Sequence, residues 1–343
     1  MTTLWIGIDM AKTNFEAVAL WQTERISLGQ FSNEASGFGA FAAQVAAEQA
    51  HCGATAVQWV VEPTGGYELP LVAYAHQAGW ALSLPGRPLG PRQVRQWAKG
   101  SGQRAKTDRQ DALLLARFGA AQQPAPHRPP AVEVSELDSL LQRRQDLEQM
   151  IQQVQNRIEA LQGGGPPGAG IATPVIANLK RVLQALQEAL QEVEKAIAEH
   201  HQQHAQLQDD AQRLVAMPGI GPKVVLPLLV QLHRWQTLTA GQGTPKGLTA
   251  FVGLDRQPYE SGRIVRRHSS ISKMGNAALR RLLYMGALRA VHGQNPLHAF
   301  YERLVARGKA KKLVVVAAAR KLLIWAWMLS SRQTEWNPDF HAL

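Results

Sequence analysis

Two short apolar runs near the amino terminus each end at an acid, and that repetition narrows what the chain can become. Thr3-Leu4-Trp5-Ile6-Gly7-Ile8-Asp9 is the first; residues 55–61, followed by Glu62 and the break Pro63-Thr64-Gly65-Gly66, are the second. Runs of this length bounded by turn residues read as buried strands. Between them, residues 15–20 and 25–31 complete a three-strand meander, and residues 35–50 read as a helix. A helix around 68–77, a short strand at 80–84 and a basic segment at 87–106 follow.

Thr107 followed three residues later by Gln110 is a capping box, so a helix should start there with Asp108 in its first turn. Asp108 and Asp111 lie one turn apart, on the face that continues through Leu115 and Phe118 and packs inward. Acids in a first turn also complement the helix macrodipole, by about 0.3–1 kcal/mol. Arg104, Lys106 and Arg109 stand close enough in sequence to neutralise them. The stretch by itself leaves a structural role and a cation site both open.

The order β-β-β-α-β-α-β-α is that of a ribonuclease-H-like domain, in which the first and fourth strands lie side by side and the last helix packs across them. Asp9, Glu62, Asp108 and Asp111 are then expected to converge at one sheet edge. Carboxylates gathered inside a fold need cations, and hard oxygen ligands of this kind suit Mg2+ or Mn2+. Two such ions activate an attacking oxygen and stabilise a leaving one in phosphoryl transfer.

Residues 124–130 (Pro-Ala-Pro-His-Arg-Pro-Pro) cannot continue a helix, so a first domain is expected over residues 1–125. Over residues 131–208 a heptad seam appears. It runs through Leu137, Leu140, Leu147, Ile151, Val154, Ile158 and Leu161, with Arg144 as the exception, and breaks at residues 163–170. A second helix, with Thr173 as N-cap and Pro174 at its first position, continues the spacing through Ile176, Leu179, Leu183, Leu186, Leu190, Val193 and Ile197. The polar faces are rich in Gln, so the expected element is an antiparallel coiled-coil arm for protein contact, or a dimerisation element. His200 and His204 sit one turn apart but continue the seam without a third ligand, which favours polar seam residues over a metal site, with His201 beside them.

The third region, residues 209–343, is expected to be mostly helical. Pro218-Gly219-Ile220-Gly221 between two helices reads as the hairpin of a helix-hairpin-helix unit, whose glycines let backbone N–H groups approach a DNA phosphate; a plain tight turn uses the same residues. The 343 residues carry 37 Lys+Arg against 26 Asp+Glu, a formal charge of +11, so a polyanion is the expected partner, nucleic acid ahead of an anionic membrane. Residues 261–301 contain no Asp or Glu, while Arg263, Arg266, Arg267, Lys273, Arg280, Arg281 and Arg289 all fall there. This reads as a phosphate-binding surface to which Ser269, Ser270, Ser272 and Asn276 add neutral donors. Residues 313–329 are apolar but cut by Arg320-Lys321, so a buried helix with a basic rim is expected rather than a membrane span. One cysteine, Cys52, excludes an internal disulfide and a Cys-rich zinc site, and no signal-peptide pattern opens the chain; a cytoplasmic protein is expected.

A set of local motifs spans nearly the whole chain. They are Gly7-Ile8-Asp9, Glu62-Pro63-Thr64-Gly65-Gly66-Tyr67, Pro91-Arg92-Gln93-Val94-Arg95, Ala105-Lys106-Thr107-Asp108-Arg109-Gln110-Asp111-Ala112, Pro218-Gly219-Ile220-Gly221, Tyr259-Glu260-Ser261-Gly262 and Phe300-Tyr301-Glu302-Arg303-Leu304. With this set the chain resembles the DEDD-type transposases of bacterial insertion sequences, the group related to Piv-type DNA invertases and called bridge-RNA-guided or seek-RNA-guided recombinases.

The resemblance implies a RuvC-like amino-terminal domain whose Asp9, Glu62, Asp108 and Asp111 bind Mg2+. It also implies a carboxy-terminal transposase domain in which Ser261 attacks a DNA phosphodiester and forms a covalent phosphoserine. The residues themselves do not single out Ser261 over Ser269, Ser270 or Ser272. A serine hydroxyl needs activation; no His sits beside Ser261 in sequence, so the metal ions are the expected activator, with Arg263, Arg266 or Arg267 stabilising the transition state. Arg92, Arg95, Lys106, Lys223, Lys273, Arg280 and Arg281 are the further nucleic-acid contacts. The resemblance also implies a structured, element-encoded non-coding RNA whose loops pair with donor and target DNA, and strand exchange suits a homodimer that assembles to a tetramer. Two other readings stand beside it: a RuvC-like metal-dependent nuclease or junction resolvase in which Ser261 is a turn residue, and a non-enzymatic nucleic-acid-binding protein.

Overall fold

Alternation along β1 (Thr3–Met10) sets the layers of the amino-terminal half. Leu4, Ile6, Ile8 and Met10 are buried in one core, while Trp5 on the opposite side packs into another. The computed structural model describes residues 2–85, 94, 96–98, 107–163, 172–261 and 265–338, and the chain divides into two units, Met1–Arg128 and Pro129–Leu343.

In the first unit β2 (Asn14–Trp21) pairs antiparallel with β1, and β3 (Glu24–Ser32) antiparallel with β2. β4 (Ala56–Val61) pairs parallel with β1, and β5 (Leu82–Ser83) parallel with β4, giving the order β3-β2-β1-β4-β5. This is the mixed sheet of a ribonuclease-H-like domain, with the first and fourth strands adjacent. The fifth strand is shorter than expected, because Trp80 stacks flat on Trp59 at 3.8 Å instead of joining the ladder. Helices α1 (Ala35–Cys52) and α2 (Leu69–Gln77) cover one face through Phe38, Phe41, Val45, Leu71 and Ala75.

Helix α3 (Asp108–Gln122) crosses the other face, and glycines bring it down onto the sheet. A Cβ on Gly7 would overlap the Ala112 carbonyl oxygen, and one on Gly119 would run into Trp5 and Val60. These contacts also set direction. Gly119 lies over Trp5 and Ala112 over Gly7, so the first turn of α3 lies toward the carboxyl ends of β1 and β4. The proline-rich segment then lies along β5: Ser83 Oγ donates to the Pro124 and Ala125 carbonyls at 2.9 and 3.1 Å, and the His127 N–H to Leu82 O at 2.6 Å.

In the second unit α4 (Val132–Gly163) packs against α5 (Ala172–Gln203). His200 Nε2 lies 2.8 Å from the Glu133 carbonyl, so the end of one helix meets the start of the other and the pair is antiparallel. Ile176, Leu179, Leu183, Leu186, Leu190 and Val193 are each half-buried along the seam, and Leu137, Leu147 and Ile158 are buried opposite. Three details differ from expectation. Leu141 rather than Leu140 takes the buried position near the base, four residues after Leu137. The second helix already includes Ala172 and Thr173, so Thr173 does not flank it. The seam stops at Gln203, because His204 has extended backbone (φ −118°, ψ 93°) and is the N-cap of α6 (Ala205–Val215). Its Nδ1 lies 2.7 Å from the His200 carbonyl, so these histidines join helices. Residues 164–170 of the expected break lie outside the described residues.

Helices α7 (Pro222–Thr239), α8 (Pro245–Val252), α9 (Ala277–Ala290), α10 (Pro296–Ala306) and α11 (Lys311–Arg332) complete a mostly helical unit. It is interrupted by a hairpin of β6 (Arg256–Ser261) and β7 (Val265–Ile271). By length and composition α11 is apolar enough to cross a membrane. Here its Val314, Ala318, Leu322, Trp325, Ala326 and Leu329 are buried in the core that Val134, Leu137, Leu141 and Ile197 also join.

Candidate active site

Ile8 is the ladder partner of Val61, so Asp9 and Glu62 are next in line on neighbouring parallel strands. Side chains alternate between faces. Asp9 follows Trp5 and Gly7, and Glu62 follows Val60, which packs with Leu114, Leu115 and Phe118 of α3. Both acids therefore belong to the face that α3 covers. The first turn of α3 brings Asp111, half-buried, and Asp108, exposed, toward the same end of the sheet. The Gln110 N–H donates to Thr107 Oγ1 at 3.3 Å, so Thr107 is the cap, and Leu115 and Phe118 are buried below it. Asp9, Glu62 and Asp111 each have an interaction partner, so none is a bare charge. An all-carboxylate donor set suits a hard divalent cation. Among the described residues, no three His, Cys, Asp or Glu side chains are gathered closely enough to ligate one ion.

Two further residues hold the loops that carry the acids. Asn33 Nδ2 donates to the carbonyls of Tyr67 at 2.9 Å and Ala11 at 3.3 Å, which ties the turn after β1 to the loop after β4. Glu68 is fully buried, and its Oε2 accepts the N–H groups of Thr64 at 3.1 Å and Gly66 at 2.9 Å. The loop can wrap around that carboxylate because Gly65 and Gly66 adopt φ of 77° and 114°, where only glycine is unstrained. The one legible signal for this pair was the Gly-Gly step itself; Asn33 and Glu68 look like ordinary turn and helix-start residues.

Ser261 is the last residue of β6, opposite Val265. Its strand rises from an anchored base. A Cβ on Gly253 would overlap the Met274 carbonyl, and one on Gly275 the Phe251 carbonyl, so the loops flanking the hairpin interlock. Ser272 Oγ donates to Asp255 Oδ1, and its N–H to the Asp255 carbonyl at 2.9 Å. Arg280 Nη1 donates to the Val252 carbonyl at 2.9 Å, and burial pushes its pKa down. Asn276 caps α9 by accepting the Leu279 N–H at 3.0 Å. Ser272, Asn276 and Arg280 thus hold the hairpin's base, a task their polarity alone did not announce.

Lys223, Lys273 and Arg281 are exposed, and Arg266 and Arg267 lie on β7 opposite Glu260 and Tyr259. Arg92, Arg95, Lys106 and Arg263 lie outside the described residues. In the α6–α7 turn Gly219 has φ 86° and rests against Gly286 of α9, where a Cβ would overlap the Gly286 carbonyl; close packing therefore requires this glycine. Beneath the turn, Asp210 is 3% exposed and bonded to Arg213 at 2.7 Å, His233 at 3.1 Å, Gln206 at 3.3 Å and Gln333 at 3.4 Å. Burial by itself raises its pKa, but the hydrogen bonds from His233, Gln206 and Gln333 and the charge of His233 outweigh it and hold the carboxyl below its ordinary value.

Residues 6–162 match a family model described as a transposase, the DEDD type of IS110, and residues 211–302 match the transposase IS116/IS110/IS902 family. The pilin gene-inverting proteins of Moraxella bovis and Moraxella lacunata are each 27% identical over 346 residues, covering 99% of this chain and 100% of theirs. The insertion element IS900 uncharacterized 42 kDa protein of Mycobacterium paratuberculosis is 27% identical over 175 residues, 50% of this chain and 41% of that one.

Proposed function

Since the chain belongs to the transposase IS116/IS110/IS902 family and is an enzyme that recombines DNA, we propose that it is the RNA-guided recombinase of an insertion sequence, joining donor and target DNA through a covalent phosphoserine at Ser261. The observation that carries the reading is the placement of Asp9 and Glu62 side by side under the helix whose first turn holds Asp108 and Asp111. These four would hold Mg2+ or Mn2+, which would supply positive charge for an attacking and a leaving oxygen in phosphoryl transfer.

Ser261 Oγ forms a bond to phosphorus as one phosphorus–sugar oxygen bond breaks. The serine gives up its proton and the freed sugar oxygen takes one up, and attack by the sugar hydroxyl of another strand reverses both changes and releases the serine. Arg263, Arg266 and Arg267 offset the charge on the phosphoryl oxygens. Because the ester bond is kept as a phosphoserine, strands exchange without net hydrolysis, which suits relatives named for inverting a gene.

Sequence choice rests with an element-encoded structured RNA whose loops pair with donor and target DNA. The exposed Lys223, Lys273 and Arg281, together with Arg92, Arg95 and Lys106, position phosphates, while Arg280 braces the hairpin's base through its bond to the Val252 carbonyl. The α6–α7 turn acts as a helix-hairpin-helix. The α4–α5 pair is an antiparallel coiled coil that joins protomers into a homodimer and dimers into a tetramer, in the bacterial cytoplasm and away from membranes. A RuvC-like nuclease or junction resolvase would use the same acids without Ser261.

The test is strand cleavage by purified protein with its DNA, the flanking RNA and Mg2+. Asp108→Ala or Asp111→Ala should abolish cleavage and leave RNA and DNA binding intact; loss of binding would count against the assignment. Cleavage by hydrolysis that Ser261→Ala leaves unchanged would favour the nuclease.

A further inference from the structure

The corner between α10 and α11 holds two cations that stand over aromatic rings. Lys321 Nζ lies 5.5 Å from the centre of the Phe300 ring and 5.0 Å from that of Trp325, and Arg303 Cζ lies 5.7 Å from the Phe300 ring. Two positive side chains, from two helices, thus share one aromatic ring. Among the described residues neither is in an ion pair. Sequence explains why: between residues 261 and 334 the single acid is Glu302, which is exposed. Lys321 is half-buried, and that desolvation together with the charge of Arg303 lowers its pKa. Like charges held together in a partly dry place are destabilising unless an anion joins them.

The surrounding surface extends the field. Gly308, at φ 77°, turns the chain sharply between the helices, and the Gly308 and Lys309 N–H groups bond back to Val305 and Leu304 at 2.8 and 3.2 Å. Arg307, Lys309, Lys311 and Lys312 are exposed on this ordered corner. The faces of the Phe300 and Trp325 rings keep the cations in place from beneath, which leaves their outer side for a phosphate.

We propose that the α10–α11 corner, centred on Arg303 and Lys321 over Phe300, binds backbone phosphates of a nucleic acid and is a contact separate from the β6–β7 hairpin. It rests on the reading above that the protein handles both DNA and RNA. The experiment measures affinity against salt concentration for full-length wild type and Arg303→Gln/Lys321→Gln, with a DNA duplex in one arm and a structured RNA in the other. Each phosphate contact contributes about 0.9 to the log–log salt slope on duplex DNA and about 0.7 on a single strand. The double variant should lose about 1–2 units of slope in at least one arm, and the arm that changes identifies the source of the phosphate. Lys321→Arg should retain the slope. If the double variant melts early, the exposed Arg303→Gln alone should still lose about 1 unit. A steep wild-type slope that no variant alters overturns this site alone, whereas a wild type with no salt-dependent binding in either arm overturns the broader reading with it. Lost binding to anionic phospholipid vesicles, with both nucleic-acid slopes unchanged, would also overturn it.

Discussion

Glu68 shows how much a single side chain can organise. A fully buried carboxylate that accepts two backbone N–H groups satisfies donors that would otherwise be stranded, and charge-assisted bonds of this kind are the strong ones. Glu68→Leu should therefore lower the free energy of unfolding by about 1–3 kcal/mol, the cost of stranding those donors. Glu68→Gln, which keeps an acceptor, should lose less; equal losses in urea titrations would contradict the role given to the carboxylate. Asp210 makes a prediction in pH. Its folded pKa lies below the ordinary 3.8, so its contribution is fully present above that value and is lost as pH falls through the folded pKa. Between pH 7 and about pH 3, wild type should lose more stability than Asp210→Asn, as read from urea midpoints. Neither Glu68 nor Asp210 was legible beforehand, because an acid in a loop or on a helix looks solvated until its partners arrive from elsewhere in the chain.

At the level of elements, the legible parts were those with a period. Leu4, Ile6 and Ile8 alternate, Asp9 and Glu62 fall at the carboxyl ends of β1 and β4, and Thr107 caps α3, so the element order, and through it the pairing of the first and fourth strands, was legible in the sequence. The β6–β7 hairpin could not. Gln257, Glu260, Arg266 and Arg267 give it no apolar alternation in sequence, and the Asp255–Ser272 and Arg280–Val252 bonds that hold its base join residues far apart in the chain. The break at His204 was hidden for the opposite reason: the apolar spacing runs on while the backbone turns. Helix α3 yields the sharpest test at this scale. Gly7→Ala would place a methyl group in the Ala112 carbonyl, forcing α3 off β1. It should cost about 1–3 kcal/mol of stability. Cleavage should fall by more than the unfolded fraction explains, because Asp108 and Asp111 move with the helix; activity that tracks the folded fraction alone would argue against their placement.

At the scale of the whole molecule, two acids at the ends of neighbouring strands stand against a strong excess of basic residues. A net charge of +11 on 343 residues favours nucleic acid as a partner, while Asp9 and Glu62 lie next to one another in register at the carboxyl ends of β1 and β4. One family match runs over residues 6–162, the first unit and the start of the second, and the other over residues 211–302 of the second. The proposed recombination turns on Ser261 as the nucleophile, which the residues themselves left level with its neighbouring serines. The most direct measurement is to trap the protein on cleaved DNA with its RNA and Mg2+, digest it with protease and nuclease, and find by mass spectrometry which peptide carries the nucleotide. One adduct is expected, on the peptide containing Ser261, absent from Ser261→Ala and from Asp111→Ala. A nucleotide on Ser269, Ser270 or Ser272, or cleaved DNA with no attached peptide, would contradict it.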